Sequence, residues 1–574
     1  MSTEPGSRAN AHMSHGATSV LWEQAYSPGV KWNWTPPQPQ PVERFLEEAA
    51  DRWPERVAID FYGHTVSYRE LWQLAARVAC GLQRLGLEPG DMIALYLPNT
   101  PHFVGCFFGA LLAGGRIVNV SSLAGAYEVE RQLSSTGVSI VIASDLELQS
   151  ASLRSLDRTG VRSLVICSLI DFVSQETARE IGATSVRTAP ASPRGMTCLS
   201  FASLIANDGI WRTVPRGDPQ QEVALLQFTG GTTGSPKAAM LSHANLNMAV
   251  SVNSYWEGDV CAGDSRCTLA VLPFSHIIGL SVIMLRTLAV GRTIVLHLRF
   301  DPRKVVTDIR TKHISAFAGV PAMYAALVSQ PDITKADLRS LRICSVGGAP
   351  LSLELAARFQ QLTGVAPREG YAMTETTCVA TWQPLHSLPR VGTVGVPMPG
   401  VCLEIVDLDT GMWPLPPGQR GQIRIRGPQV MLGYWKEPEE TRAVLRDGWL
   451  YTGDVGTMDA EGYVFVHDRL KDMIICGGYK VFPRRIELLL HAHPAVAEAC
   501  IIGVADDELG QVPKAFVVPR ECPGPLTVSE LYAHLKPRLA KYEIPVEITL
   551  CSQLPRTPYG KISKQALAAS PAQR

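Results

Sequence analysis

Excess charge of either sign is missing from this sequence. Fifty-three Lys and Arg residues balance fifty-three Asp and Glu, so there is no electrostatic footprint for a nucleic acid and no polybasic patch for an anionic lipid surface. Any nucleotide bound is a small one. Cysteine pairs at metal-ligand spacing are missing too: the thirteen cysteines include no C-x-x-C, and Cys261 and Cys267, the closest two, have no His or Cys cluster beside them. That excludes a zinc module and a disulfide scaffold and fits free thiols in a reducing cytoplasm. The first residues, MSTEPGSRANAHMSHGATS, lack the basic start and apolar core of a secretory signal and read as a flexible extension. The longest apolar stretch, Phe103 to Val120, is broken by Gly105, Gly109, Gly114, Gly115 and Arg116, too short and interrupted for a membrane span. Peripheral membrane contact is left open, and oligomeric state is not legible.

What remains is a chain of 574 residues, 46% apolar and 18% charged, large enough for several domains or subdomains. Helix-like and strand-like segments alternate, which predicts α/β architecture with parallel sheet. Ser67 and Glu70 form a capping-box pattern, followed by an apolar face of Leu71, Leu74, Ala75, Val78, Leu82 and Leu85 that Gly86 would close. Short apolar strands are expected at 92–97, 139–143, 163–167, 223–228, 294–298, 315–320 and 343–346. From about residue 391, GTVGVPMPG, VCLEIVDLD, GQIRIRG and GYVFVHD read as alternating strands of a small β subdomain. The expected division is an extension at 1–36, a large domain at 37–470 with its β subdomain at about 391–470, and a small mobile α+β domain at 471–574.

Between the predicted strand at 223–228 and the next apolar run lies TGGTTGSPK, residues 229–237. Gly230, Gly231 and Gly234 let backbone N–H groups converge on anionic oxygens; Thr229, Thr232, Thr233 and Ser235 add hydroxyls, and Lys237 a mobile positive charge. This is the chemistry of a phosphate cradle. A Walker-type loop would need glycine before the lysine and Ser or Thr after it, but Pro236 and Ala238 stand there.

The cradle resembles the phosphate loop of the adenylate-forming superfamily, which includes acyl-CoA synthetases, adenylation domains of peptide synthetases and beetle luciferases. The resemblance runs in order over residues 40–567. LPFSHIIGL at 272–280 resembles the motif that places a histidine, here His276, near the acyl carboxylate, with Leu280 at the acid pocket. SVGGAPL at 345–351 and EGYAMTET at 369–376 resemble the adenine and metal segments. By that match Gly347, Gly348, Ala349 and Pro350 approach the purine, Tyr371 stacks on it, Glu369 and Gly370 line it, Thr374 holds the α-phosphate and Glu375 coordinates Mg²⁺. WLYTGDVG and HDRLKDMIICGGYK supply Asp454 for the ribose hydroxyls, Arg469 for ribose and phosphate, Lys471 as hinge, and Gly477 and Gly478 beside a CoA tunnel. PRTPYGKISK supplies Lys561 as the catalytic lysine.

The resemblance implies ATP, Mg²⁺ and coenzyme A as cofactors and a carboxylic acid as substrate. The acid becomes an acyl-adenylate and then a thioester, as in fatty acyl-CoA synthetases acting on medium- to long-chain acids. Loading of a carrier-protein phosphopantetheine is the alternative. Leu280 stands where some long-chain relatives place a gating tryptophan, Ser275 replaces a common aromatic, and Ile475 replaces a lysine, so the gate and nearby phosphate contacts are not implied.

Overall fold

The computed structural model describes residues 21–146, 156–181, 195–229, 236–258, 260, 267–331, 333–349, 351–520, 526–556 and 562–569. The predicted capping box is present: the Ser67 hydroxyl accepts from Glu70 N at 3.2 Å and the Glu70 carboxylate accepts from Ser67 N at 2.7 Å, opening helix Tyr68–Arg84. Gly105 and Gly109 let helix Pro101–Leu112 lie against it; a Cβ on Gly109 would meet Val78 at 2.6 Å. The apolar run at 103–120 is therefore a wholly buried helix followed by strand Arg116–Asn119, the latter not foreseen. No helix among the described residues is long and apolar enough to cross a membrane.

Four sheets organise the described residues. One runs, edge to edge, Gly433–Tyr434, Ala238–Ser242, Val223–Phe228, Arg116–Asn119, Met92–Tyr96, Ile140–Ser144, Ser163–Cys167, Thr197–Ser200. The other large sheet is centred on Ile343–Val346, Ile314–Gly319, Cys267–Ala270, Thr293–Leu296 and Val57–Phe61. Both are parallel in their middles, where strands such as Met92–Tyr96 and Ile314–Gly319 are buried along their whole length, as parallel strands covered on both faces are. The parallel sheet expected from the sequence is thus present, with antiparallel strands added toward some of its edges: Ala238–Ser242 returns along Val223–Phe228, and Arg368–Tyr371 pairs antiparallel with Thr381–Trp382.

The stretch read as a β subdomain divides among three sheets. Cys402–Val406, Gly421–Arg426, Leu445–Arg446, Trp449–Met458 and Val464–Arg469 form an antiparallel sheet. Val396–Pro397 instead extends the nine-stranded sheet, and Gly433–Tyr434 the eight-stranded one. For Gly433–Tyr434 a neighbour distant in sequence, not local pattern, decides the pairing. Beyond the turn Leu470–Asp472 a fourth sheet follows, Tyr479–Val481, Ile474–Cys476, Gly510–Pro519 and Val496–Asp506, with Glu547–Leu550 parallel on its other side.

Candidate functional site

The loop that begins at Thr229 joins two antiparallel strands, whereas a Walker loop runs from strand into helix. Its described ends are tied together: Thr229 N donates to Lys237 O at 2.9 Å, and Lys237 N to the Thr229 hydroxyl at 3.3 Å. Gly230, Gly231, Thr232, Thr233, Gly234 and Ser235 lie outside the described residues, as do Pro350 and Lys561. The Lys237 ammonium pairs with the carboxylate of Glu440, on helix Pro438–Val444, and lies 5.0 Å from the centre of the Tyr434 ring.

Next to this loop, the C-terminal ends of two parallel strands carry Asn119 and Gln227, which face each other in register. Asn119 Nδ2 donates to Gln227 Oε1 at 3.0 Å and to Phe274 O at 2.9 Å, Gln227 Nε2 donates to Ser275 O at 2.8 Å, and Phe274 N donates to Asn99 at 2.8 Å. Buried carboxamides thus hold the backbone that presents His276, whose own side chain is exposed. The helix that follows, Ile278–Leu285, is wound as a π-helix, a form that recurs at functional sites. Leu280 sits wholly inside the main core. Gly279 permits this packing, because a Cβ there would meet Pro273 O at 2.1 Å. Gly279→Ala is expected to cost on the order of 2 kcal/mol by overpacking and to raise KM for the acid more than for ATP, read by thermal unfolding and initial rates.

Opposite lies the segment 343–349. Gly348, at φ +81°, takes a left-handed conformation that favours glycine. A Cβ on Gly347 would stand 3.6 Å from Ile278, and one on Gly348 3.5 Å from Val320, which sets this backbone beside the His276 segment. Strand Arg368–Tyr371 runs parallel to Ile343–Val346, with Val346 opposite Glu369. The Glu369 carboxylate accepts from Leu351 N at 3.2 Å, and burial pushes its pKa up. Gly370 lies tight against the neighbouring strand, its Cβ position 3.0 Å from Thr381 O.

Tyr371 delivers the clearest constellation. Its hydroxyl donates to Asp454 Oδ2 at 2.5 Å, and Arg469 Nε reaches Asp454 Oδ1 at 3.2 Å. Asp454 and Arg469 face each other across antiparallel strands, and a register shift with Gly453 at φ +72° aims the carboxylate inward, where it is only 4% exposed. Burial, then the carboxylate itself, pushes the Tyr371 phenol up, so it stays a donor.

Thr374 and Glu375 lie on a tight turn, Thr374–Thr376, followed by two non-glycine residues in the left-handed region, Thr377 at φ 50° and Cys378 at φ 64°. Such strain costs about 1–3 kcal/mol per residue and persists only where surroundings over-determine it. They do here: Thr377 Oγ1 donates to Gln429 O at 2.8 Å, Ser281 Oγ to Thr377 O at 3.3 Å, and Met431 N to Glu375 O at 2.9 Å. The buried Glu375 carboxylate accepts from the Tyr434 hydroxyl at 2.7 Å. Among the described residues no three candidate ligands cluster. One oxygen-donor carboxylate fits Mg²⁺, a hard cation that takes its remaining positions from phosphate and water. Tyr434 and Glu440, in the segment GYWKEPEET, were not among the residues singled out from the sequence, because no local pattern marks them.

Lys471 borders the same site. Burial, then the positive charges of Arg469 and Lys237, hold its pKa down. On the far side of this turn the Asp468 carboxylate accepts from Arg484 N at 2.8 Å, and Lys564 reaches Asp472 at 3.0 Å. Gly477 and Gly478, at φ +55° and +83°, are the two central residues of a type I′ hairpin turn between Ile474–Cys476 and Tyr479–Val481. In the described arrangement Gly478 has open space around it.

Residues 46–435 match the family model described as AMP-binding enzyme, and residues 485–561 that of its C-terminal domain. A long-chain-fatty-acid–CoA ligase of Bacillus subtilis is 35% identical over 528 residues, covering 92% of this chain and 94% of the relative. A feruloyl-CoA synthase of Amycolatopsis sp is also 35% identical, covering 89% and 95%. The crystal structure of ATP-bound MatB from Rhodopseudomonas palustris superposes with a TM-score of 0.79 at 28% identity, covering 92% of this chain and 98% of that one.

Proposed function

The chain belongs to the AMP-binding enzyme family and is an acyl-CoA ligase, and from that premise we propose that it activates a medium- to long-chain fatty acid with Mg·ATP and transfers the acyl group to CoA. The observation that carries this reading is the convergence of Lys237, Glu375, Asp454 and Lys471, drawn from four distant segments, on one site. The long-chain-fatty-acid–CoA ligase, matched over nearly its full length, supports the acid class. An aromatic acid is the second reading, favoured by the equal identity to the feruloyl-CoA synthase.

In the first half-reaction the substrate carboxylate attacks the α-phosphorus of ATP, the bond to the β-phosphate bridge breaks, and pyrophosphate leaves. The acid is already ionised at pH 7, so no general base is required. His276 orients the carboxylate, Asp454 with Arg469 holds the ribose, Tyr371 and the 347–350 backbone take the adenine, and Thr374 and Lys237 hold phosphate oxygens. Glu375 would hold Mg²⁺, which when bound would neutralise charge on the phosphates. Lys561 neutralises the crowded transition state. In the second half-reaction the CoA thiolate attacks the acyl carbonyl of the mixed anhydride and AMP departs. Enclosure keeps water from that anhydride.

Purified protein given Mg²⁺, ATP, CoA and a panel of short, medium, long and aromatic acids should release pyrophosphate and AMP, fastest with the medium- to long-chain members. A preference for the aromatic members would replace the acid class. Formation of ADP and orthophosphate would remove the reading altogether.

A further inference from the structure

The lysine and the carboxylate that this reading assigns to phosphate and metal both contact one side chain, Tyr434. Tyr434 donates its hydroxyl to Glu375 Oε1 at 2.7 Å, while the Lys237 ammonium stands 5.0 Å from the centre of its ring. Register fixes this meeting: Tyr434 lies opposite Ala239, and Trp435 N donates to Ala238 O at 2.8 Å, so the aromatic is set beside the strand that begins just after Lys237. Tyr434 N donates to the Thr441 hydroxyl at 2.9 Å, which itself donates to Glu437 O at 2.8 Å. The short helix bearing Glu440 is thereby fastened to the strand bearing Tyr434, and Glu440 reaches back to pair with Lys237.

We propose that Tyr434 is a positioning residue that aims the Glu375 carboxylate at its metal, and that Glu440 holds Lys237 over the Tyr434 ring until a nucleotide polyphosphate takes the ammonium. The hydroxyl occupies one carboxylate oxygen and fixes the rotamer of the other, the task of an outer partner to a metal ligand, whose loss typically costs 10–100-fold in metal affinity. The Lys237–Glu440 pair is 34% and 49% exposed, so it is weak and screened by salt. A triphosphate displaces it at little cost.

This inference rests on the proposed roles of Lys237 and Glu375, and the experiment separates the two. Mn²⁺ bound to the protein–ATP complex is measured by electron paramagnetic resonance, and ATP binding by calorimetry, for the parent and for Tyr434→Phe, Glu440→Gln, Glu375→Ala and Lys237→Ala. Tyr434→Phe, which keeps the ring, is expected to weaken Mn²⁺ binding about tenfold or more, with kcat recovering at saturating metal. Glu440→Gln is expected to tighten ATP binding about two- to fivefold at low salt, a gain that disappears at high salt. Being half exposed, Glu440 gives an answer even if the Tyr434 variant unfolds. The proposal is overturned if Tyr434→Phe leaves the metal affinity unchanged, or if Glu440→Gln leaves ATP binding equal or weaker. If Glu375→Ala and Lys237→Ala are also silent, it is the underlying site assignment that fails.

Discussion

Lys561→Ala is expected to abolish adenylate formation, by about a hundredfold or more, while leaving thioester formation from a supplied acyl-adenylate close to the parent rate. Negative charge gathers around the α-phosphorus only in the first half-reaction, when the carboxylate oxygen arrives before pyrophosphate has left. An ammonium aimed at that point stabilises the transition state more than the ground state. The second half-reaction has no pentavalent phosphorus and no use for it. Although Lys561 lies outside the described residues, the residues flanking this segment are anchored: Arg556 and Ile562 form an antiparallel bridge, Arg556 pairs with Glu498 at 2.6 Å, and Lys564 pairs with Asp472 at 3.0 Å. The described flanks of this segment therefore belong to the body that follows the turn at Lys471. Pyrophosphate release with acid and ATP, set against CoA consumption with synthetic acyl-AMP, separates the halves. Equal loss in both would refute the assignment.

For such a lysine to withdraw between half-reactions, the C-terminal body must leave its present seat without a large penalty. The polar contacts that seat it are modest. Lys480 meets Asp409 at 2.7 Å, the Arg420 guanidinium lies 4.6 Å from the centre of the Phe482 ring, and Asp468 caps the backbone at Arg484. The Lys480–Asp409 pair is exposed, with Asp409 83% accessible, and such pairs are worth about 0–1 kcal/mol. A turn about Leu470–Asp472, the hinge we propose, would exchange weak contacts rather than tear a core, since the core around Ile474, Ile486 and Ile501 is separate from those of the large domain.

The sequence carried the α/β class because its periodicities are local: capping at Ser67, buried runs such as Val223–Phe228, and alternation in Gly421–Arg426 all depend on near neighbours. It was silent wherever register between distant strands decides. The pairings of Gly433–Tyr434 with Ala238–Ser242 and of Thr293–Leu296 with Val57–Phe61 are of this kind. Tyr434 is the sharpest case, since nothing in GYWKEPEET announces that its hydroxyl meets a carboxylate 59 residues earlier in the chain. Elementary chemistry read the phosphate cradle from glycines, hydroxyls and a lysine. The roles of Asp454, Glu375 and His276 came from resemblance, because a lone carboxylate in a glycine turn has no local signature of its task. The pair Gly477–Gly478 illustrates a further ambiguity: positive φ at both positions is what a type I′ turn demands, so the glycines have a conformational reason to be there whatever passes beside them.

Asp454→Ala is expected to raise KM for ATP by on the order of a hundredfold or more, leaving KM for the acid and for CoA nearly unchanged. The carboxylate is almost wholly buried, with the Tyr371 hydroxyl on one oxygen and Arg469 on the other. A ribose that shares this carboxylate forms charge-assisted hydrogen bonds worth about 1.5–3 kcal/mol each, and losing two of them accounts for the expected factor. Truncation also strands the Tyr371 hydroxyl in a buried site, so part of the loss is misplacement of the ring that would stack on adenine. Tyr371→Phe isolates that part: it keeps the ring and the carboxylate while removing the bond between them. If Asp454 acts by gripping nucleotide, the double variant should lose little more than Asp454→Ala alone, because the phenol matters only through the carboxylate it orients. If Asp454 is merely structural, both single variants should lower the thermal midpoint and raise all three KM values together. Initial rates with each substrate varied in turn, beside thermal unfolding of the three variants, decide between these outcomes.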